Sequence, residues 1–403
     1  MKIVVLGGAG QMSSLTVRDL AHSDDVKEIL VADFNFEKAK AVAEENGPKC
    51  KAAFCDAYNT EQVRETIRGY DCVINGCTYK VNLYVMDACL KEKIHYTDLG
   101  GLFYITLEQM KLDQAFREAG ITAVLSMGGT PGTINVLARY AVDRLDTVET
   151  VNVLNGCGDW TKTTEVFSVP YSIKTIMEEF TIRPVEYVGG KHVDVDPRSG
   201  LELINFPLPL GPAYAHYTIH SEPATMPAAW KEKGLKNVYF KLALPQDFHD
   251  KVAFLADIGF ASQTEIEVRE GIKLKPADML DAVIRSMPKD ANAEVKDCDI
   301  LRAEVIGTKD GRVVKYTVDS IARQNERLKC SSTELNTGAP PSIVAQMIVR
   351  GDVTERGAFG AERGVDPEIF FEELAKRDMY VYVNQEYPVS IDSFEPINKQ
   401  KEI

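Results

Sequence analysis

The residue types most suited to chemistry first gather at a glycine turn. Immediately after the apolar run Lys2 to Leu6 stand Gly7, Gly8, Ala9, Gly10, Gln11, Met12 and Ser13, and Leu15, Val17 and Leu20 follow at helical spacing. Glycines between a strand and a helix let the chain turn tightly. They also let a pyrophosphate approach the backbone N–H groups at the positive end of the helix dipole. Ser13 stands where a third small residue lets helix and strand pack closely. The glycine pattern alone is weak, because any tight strand-to-helix turn uses such residues; its strand-to-helix context and Asp33 strengthen it. Asp33 ends the next β-branched run, 23 residues after Gly10, where a carboxylate bonds both hydroxyls of an adenine ribose and repels a ribose phosphate. The expected cofactor is therefore NAD rather than NADP, since Lys38 and Lys40 lie within a helix and not directly after Asp33. The alternative for Asp33 is a cap on the helix that starts near Phe36. Asp56, after the third run, and Asn75, Gly76 and Cys77, after the fourth, fall at strand C-terminal ends, where the ribose groups would rest.

Groups able to move protons fall in two further places. Asp98 ends the fifth run and precedes Gly100 and Gly101, so its carboxylate should open into the crevice and accept a proton or hold a cationic amine. Tyr79, on the loop after the fourth run, is placed to hold a substrate or donate to it. A loop cap and a packed aromatic are the alternatives for these two. Further along, His220 and Glu222 stand two apart in a tract with few obvious core positions. On an extended segment they share a face, which would let the carboxylate raise the histidine pKa or bind a substrate ammonium; a plain surface pair is the alternative. His216 and His249 read as structural histidines, and no His, Asp or Glu spacing calls for a metal. Arg183 and Lys80 are the candidate clamps for a substrate carboxylate.

The elements that must position these groups alternate through the first 130 residues. Short runs, Lys2 to Leu6, Glu28 to Ala32, Lys51 to Cys55, Cys72 to Asn75, His95 to Thr97 and Thr122 to Ser126, are separated by helical patterns such as Phe36 to Glu45, Glu61 to Arg68, Leu83 to Lys91 and Leu107 to Glu118. Strands that alternate with helices call for a parallel sheet, and six in this order predict a doubly wound Rossmann domain over residues 1–135. After the loop Gly128 to Gly132 and a helix over Ile134 to Arg144, the texture changes to a succession of strands. Val185 to Val188 with His192 to Val195, and Leu301 to Ile306 with Arg312 to Val318, read as antiparallel hairpins about glycine turns. Residues 136–336 should thus form an α/β substrate domain with a mixed or antiparallel sheet. Residues 337–403 should hold helices, over Pro341 to Val349 and Pro367 to Lys376, that pack back on the first domain. The polar residues Asn398 to Glu402 offer little to bury and are expected to move.

At 403 residues, two domains are the natural expectation. The chain is 45% hydrophobic and 26% charged, as a folded protein is, and its net charge of −14 opposes nucleic acid and anionic membrane as partners. Met1 to Leu6 reads as a first strand rather than a signal peptide, and no apolar stretch of spanning length occurs. Eight cysteines without a Cys-x-x-Cys pair suit reduced thiols in the cytoplasm.

The whole arrangement resembles the saccharopine dehydrogenase-like family, and within it the lysine 6-dehydrogenase branch. The resemblance is carried by Val5 to Met12, Val31-Ala32-Asp33, Tyr96 to Gly101, Gly129-Thr130-Pro131-Gly132-Thr133-Ile134-Asn135 and Thr337-Gly338-Ala339-Pro340-Pro341. It implies a homodimer that oxidises or forms carbon–nitrogen bonds in a small amino acid or opine with NAD or NADP, as lysine 6-dehydrogenases, saccharopine dehydrogenases and carboxynorspermidine dehydrogenases do. The stretch Ala215 to Pro227, with its His-x-Glu-Pro, replaces the glycine-, serine- and threonine-rich segment of the lysine branch. The resemblance therefore speaks to the reaction class and not to the substrate. Such chemistry needs a group to deprotonate the amine and a base for water at the imine, roles that would fall to Asp98, Tyr79, His220 and Glu222. A nucleotide-sensing protein that keeps the fold without turnover is the alternative.

Overall fold

The computed structural model describes residues 1–388, so the polar residues Asn398 to Glu402 lie outside the described part. The first sheet contains β1 (Lys2–Leu6), β2 (Glu28–Asp33), β3 (Cys50–Phe54), β4 (Cys72–Asn75), β5 (His95–Asp98) and β6 (Thr122–Leu125). A seventh strand, Gly357–Gly360, pairs in parallel with β6, and the order is Gly357–Gly360, β6, β5, β4, β1, β2, β3. Residues 3 to 6 of β1 and all of β4 and β6 are buried, as continuous apolar strands must be when helices cover both faces. The strand order reverses beside β1, so loops after β1, β2, β4 and β5 open on one crevice.

The second sheet is mixed. Its main path runs Glu202–Asn205, Pro212–Tyr217, Asn237–Ala243, β7 (Thr147–Asp159), Asp297–Lys309, Arg312–Arg323 and Tyr380–Glu386. Only the pairing of Asn237–Ala243 with β7 is parallel along that path. The two expected hairpins form as Val185–Val188 with Lys191–Asp194, and Asp297–Lys309 with Arg312–Arg323.

Three local expectations change. The helical pattern from Leu107 to Glu118 is divided between helices Leu102–Met110 and Asp113–Ala119. The late helix does not begin at its prolines: it runs Ser332–Arg350, opened by a capping box in which Ser331 and Glu334 bond each other's backbone N–H. Pro340 and Pro341 lie in its interior, where proline removes the N–H that carbonyls four residues earlier would use. A neighbouring carbonyl, that of Gly338, accepts from Thr16 Oγ1 at 2.7 Å. A side chain on Gly338 would lie 2.6 Å from the Met12 carbonyl, so this glycine lets the long helix close on helix α1 (Gln11–His22). Finally, the C-terminal stretch supplies strands as well as helices: Gly357–Gly360 joins the first sheet and Tyr380–Glu386 the second. Among the described residues no helix is long and apolar enough to cross a membrane.

Candidate active site

The glycine turn makes the first part of the site. Gly7 has φ +67°, and a Cβ there would lie 2.9 Å from Cys77 Sγ; one on Gly8 would lie 2.8 Å from Val31 Cγ1. These two glycines serve close packing within the protein. Gly10 differs: a Cβ there would meet only the Gly7 carbonyl, at 3.1 Å, and Ser13 Oγ, at 3.8 Å. No side chain caps α1, so the N–H groups of its first turn are left without helical partners. Open space beside Gly10 and free N–H groups fit the pyrophosphate of a dinucleotide. Ser13 Oγ packs on Gly76, donating to its carbonyl at 3.4 Å.

Asp33 Oδ2 accepts from Ala9 N at 3.2 Å and Oδ1 from Asn35 N at 2.8 Å. The cap of the following helix is Asn35, which accepts from Lys38 N. Asp33 thus ties the glycine turn to the end of β2 and is itself half-buried, with capacity left for ribose hydroxyls. Asp56 Oδ1 accepts from Tyr58 N at 3.0 Å and shapes the loop after β3. Asn75 does not reach toward a ribose. It is buried, donates to Asn82 Oδ1 at 2.9 Å and accepts from Cys77 N at 3.3 Å, so it braces the turn that presents Gly76 and Cys77. Gln11 joins the glycine turn after β1 to the second domain through Pro170 O at 3.3 Å and to the long helix through Glu334 at 3.1 Å.

A cavity of about 560 Å³ runs from Met12, Gly76 and Cys77 to Tyr171, Glu179, His220 and Asp299. Its second-domain wall begins with helix Ile173–Thr181, capped by Ser172. Ile173, Ile176, Met177 and Phe180 bury one face, and Glu179 lies on that face rather than in water. Burial pushes the Glu179 carboxyl up to about 7, against the opposing pull of His220 and Tyr171. Its Oε2 accepts from Tyr171 OH at 2.5 Å, and its Oε1 lies 4.0 Å from His220 Nε2.

His220 and Glu222 do meet, but not along a strand. The chain leaves strand Pro212–Tyr217 and turns at Ser221 into helix Glu222–Trp230, which brings His220 Nδ1 to 3.1 Å from Glu222 Oε2. The tract expected to be poor in core positions is buried almost throughout. The imidazole stacks on Phe240, ring centroids 3.7 Å apart. Burial alone would lower the His220 pKa, yet the charge and hydrogen bond of Glu222, with the charge of Glu179, outweigh it and hold it above the ordinary value. With Nδ1–H donated to Glu222, Nε2 faces the cavity and Glu179.

Asp98 is placed otherwise than expected. It is fully buried; Oδ1 accepts from Gly100 N and Ser126 N, each at 2.8 Å, and Oδ2 accepts from Gln109 Nε2 at 2.6 Å. Rather than opening into the crevice, this carboxylate ties the loop after β5 to the loop after β6. It holds Ser126 at φ +59°, a conformation uncommon outside glycine. Tyr79 does reach the cavity, but its hydroxyl donates across the domains to Glu178 Oε1 at 3.1 Å. Burial, then the charge of Glu178, raises its pKa. Arg183 pairs with Asp196 on the surface and does not line the cavity. Lys80 does line it, as do Lys174 and Lys275 around Asp278. His216 and His249 pack with Phe180, as structural histidines do. No group of three or more metal-ligating side chains is placed to hold an ion among the described residues.

Glu179, Tyr171 and Asp299 are absent from the sequence-level candidates. Two of them left a signal: Glu179 is an acid on the apolar face of a helix, and Asp299 interrupts the apolar strand Cys298 to Leu301.

A glycine turn fit for a nucleotide at a sheet's switch point, facing a buried histidine and carboxylate across a cavity, marks a two-domain pyridine-nucleotide oxidoreductase. The saccharopine dehydrogenase NADP-binding domain matches residues 3–124 and the saccharopine dehydrogenase C-terminal domain residues 128–379; the chain belongs to the saccharopine dehydrogenase family. It is 24% identical over 408 residues to carboxyaminopropylagmatine dehydrogenase of Synechocystis, covering 96% of this chain and 99% of that protein. It is 24% identical over 399 residues to carboxynorspermidine synthase of Vibrio alginolyticus, covering 91% and 93%. In fold it is similar to the L-Glu-forming saccharopine dehydrogenase of Saccharomyces cerevisiae, with TM-score 0.69, 16% identity and coverage of 96% and 99%. It is also similar in fold to homospermidine synthase of Legionella pneumophila in complex with NAD, with TM-score 0.68, 14% identity and coverage of 100% and 94%.

Proposed function

We propose that the protein makes or oxidises a carbon–nitrogen bond by joining an amine and a carbonyl compound through an imine that hydride reduces, or by running this in reverse. The observation that carries this reading is the 4.0 Å gap between His220 Nε2 and Glu179 Oε1. A proton carrier and a carboxylate there face one space, beside the loops after β4 and β5, where the nicotinamide rests in sheets of this order. The pyridine nucleotide supplies the hydride in one direction and accepts it in the other.

In the condensing direction the amine nitrogen adds to the carbonyl carbon. The resulting carbinolamine loses its hydroxyl as water, with a proton from the His220 imidazolium. Glu179, ionised, lies against the iminium cation that forms. In the oxidising direction neutral His220 takes the proton of the water that attacks the iminium carbon. Glu222 holds the imidazole by Nδ1 throughout, Asp98 positions the loops, and Tyr79 latches the domains through Glu178. Lys80 and Lys275 are cations suited to a substrate carboxylate. Asp33, with no arginine after it, favours NAD over NADP. The names of the relatives, carboxynorspermidine synthase and homospermidine synthase among them, support an amine as substrate.

The test is NADH oxidation with aldehydes and 2-oxo acids crossed against amines and amino acids. At least one pair should turn over, and His220→Asn should lower kcat by about 10²- to 10⁴-fold with NADH affinity retained. NADH binding with turnover on no pair would mark a nucleotide-sensing protein instead.

A further inference from the structure

The second sheet ends in two outer strands of unlike character. Glu202–Asn205 has four residues, and its Glu202 pairs with Lys241 at 2.6 Å; a short, charged edge does not invite another strand. Strand Tyr380–Glu386 has seven, Tyr-Val-Tyr-Val-Asn-Gln-Glu. All seven pair with Arg312–Arg323 in one register without a bulge, and no strand among the described residues pairs with the other side. A row of backbone N–H and C=O groups is left open along a segment of strong β-formers, with no lysine, proline or bulge to blunt it. Native proteins manage such an edge by covering it.

The side chains beside the edge enlarge the open surface. Tyr380 and Tyr382 are half exposed on one face of the sheet, where with Pro207, Leu208 and Ile321 they line a groove of about 580 Å³. Leu208 is 80% exposed at the rim of that groove, and Val383 stands exposed on the opposite face of the strand. Aromatic and aliphatic side chains gathered in one place mark a protein–protein surface.

The order of residues in the strand says what covers it. Antiparallel pairing of the strand with a second copy of itself, about a two-fold axis at its midpoint Val383, uses all seven residues. In that register Val383 meets Val383 of the partner subunit and Val381 meets Gln385 of the partner subunit. Tyr382 meets Asn384 of the partner subunit, and Tyr380 meets Glu386 of the partner subunit. Each phenol O–H then stands opposite an acceptor, an amide oxygen or a carboxylate. The one charged residue of the strand faces a tyrosine and not its own copy, so no like charges meet. Such self-complementarity is what a two-fold interface requires, because the same patch must serve both partners.

We propose that strand Tyr380–Glu386 is a dimer interface, through which two copies of this chain pair antiparallel about Val383 and join their second sheets into one. The family resemblance implies a homodimer without saying which surface forms it. The interface is independent of the carbon–nitrogen reading, since the strand lines no part of the cavity.

The test has two arms. Sedimentation equilibrium of the full chain at micromolar concentration should give twice the chain mass. Val383→Lys, which sets two ammonium groups against each other at the axis, should raise the dimer dissociation constant at least about 100-fold, with NADH affinity within about twofold of the unmodified protein. Disulfides read the register. Directly opposed residues of an antiparallel pair have Cα atoms roughly 4.5 to 5.5 Å apart, within disulfide range, so Val383→Cys should link two chains on mild oxidation. Gln385→Cys, opposite Val381 of the partner subunit, should link no more than the unmodified protein with its own cysteines. A monomer overturns the proposal, as does a dimer that a folded Val383→Lys leaves intact. A dimer in which Val383→Cys does not link, or Gln385→Cys links as readily, uses another surface or register and overturns it too. If Val383→Lys does not fold, the two cysteine variants decide.

Discussion

Replacing Asp98 with asparagine separates a carboxylate that does chemistry from one that holds the site together. The wild-type side chain accepts two backbone N–H bonds at 2.8 Å and one from Gln109 at 2.6 Å, with no exposure to solvent. Asparagine has nearly the same shape, and its carbonyl oxygen can keep the Gly100 and Ser126 bonds. Its amide then meets the Gln109 Nε2 donor, which cannot simply turn over because Gln109 Oε1 already accepts from Asn82 at 3.3 Å. One charge-assisted bond is lost and a buried donor is left unpaired, a cost of about 2 to 4 kcal/mol. In a domain of this size that lowers Tm by roughly 5 to 10 °C. The assay is thermal unfolding beside steady-state kinetics at a temperature where the variant stays folded. Tm should fall by that amount with kcat within about threefold of wild type, whereas loss of a general base costs about 10²-fold or more. An unchanged Tm with kcat down about 10²-fold would refute the positioning role and return Asp98 to the chemistry.

Other outcomes follow from the same geometry. Gly10→Val should fold, since only the Gly7 carbonyl crowds the new Cβ, yet lose NAD affinity by calorimetry; normal affinity would move the pyrophosphate elsewhere. Asp33→Ala should weaken NAD binding about 10- to 100-fold, and equal use of NADP by the unmodified protein would sink the assignment of that carboxylate to the ribose. The Glu179 carboxyl, raised by burial to about 7, must be ionised to face an iminium, so kcat/KM should fall as pH drops through about 7. Glu179 and His220 titrate as a coupled pair. Glu179→Gln should nevertheless remove that acidic limb along with most of the rate; a limb that persists in Glu179→Gln belongs to another group.

The cofactor end of the site was legible in the sequence because its determinants are local. A glycine turn, a strand before it, a helix after it and an acid at the next strand end all lie within 33 residues. The fold class followed from the same alternation, and the second sheet from its hairpins. What escaped depends on contacts far apart in the chain. Asp98 reads as a crevice residue from its strand end, and only the donors Ser126 and Gln109 show that its oxygens are taken. Asn75 fails in the same way, its amide claimed by Asn82. Glu179 and Asp299 come from a helix and a strand of the second domain 120 positions apart, and only tertiary packing brings them to one cavity. The prolines of the long helix misled because they read as a helix start, whereas the helix opens earlier, at the capping box of Ser331 and Glu334, and presses on α1 at Gly338. The lysine 6-dehydrogenase resemblance was carried by segments that build the cofactor end and the loop after β6, none of which supplies Glu179, His220 or Asp299. It therefore could not reach the substrate.

The most direct test of the carbon–nitrogen assignment is where the hydride goes. A productive amine and carbonyl pair is incubated with NADH carrying deuterium at the transferred position of the nicotinamide, and the product is read by mass spectrometry and carbon NMR. The expected product joins the two substrates with loss of water and carries deuterium on the carbon bonded to the new nitrogen. Deuterium on a carbon bonded to oxygen, as an alcohol formed from the carbonyl compound alone, would contradict the assignment and make the protein a carbonyl reductase on the same fold.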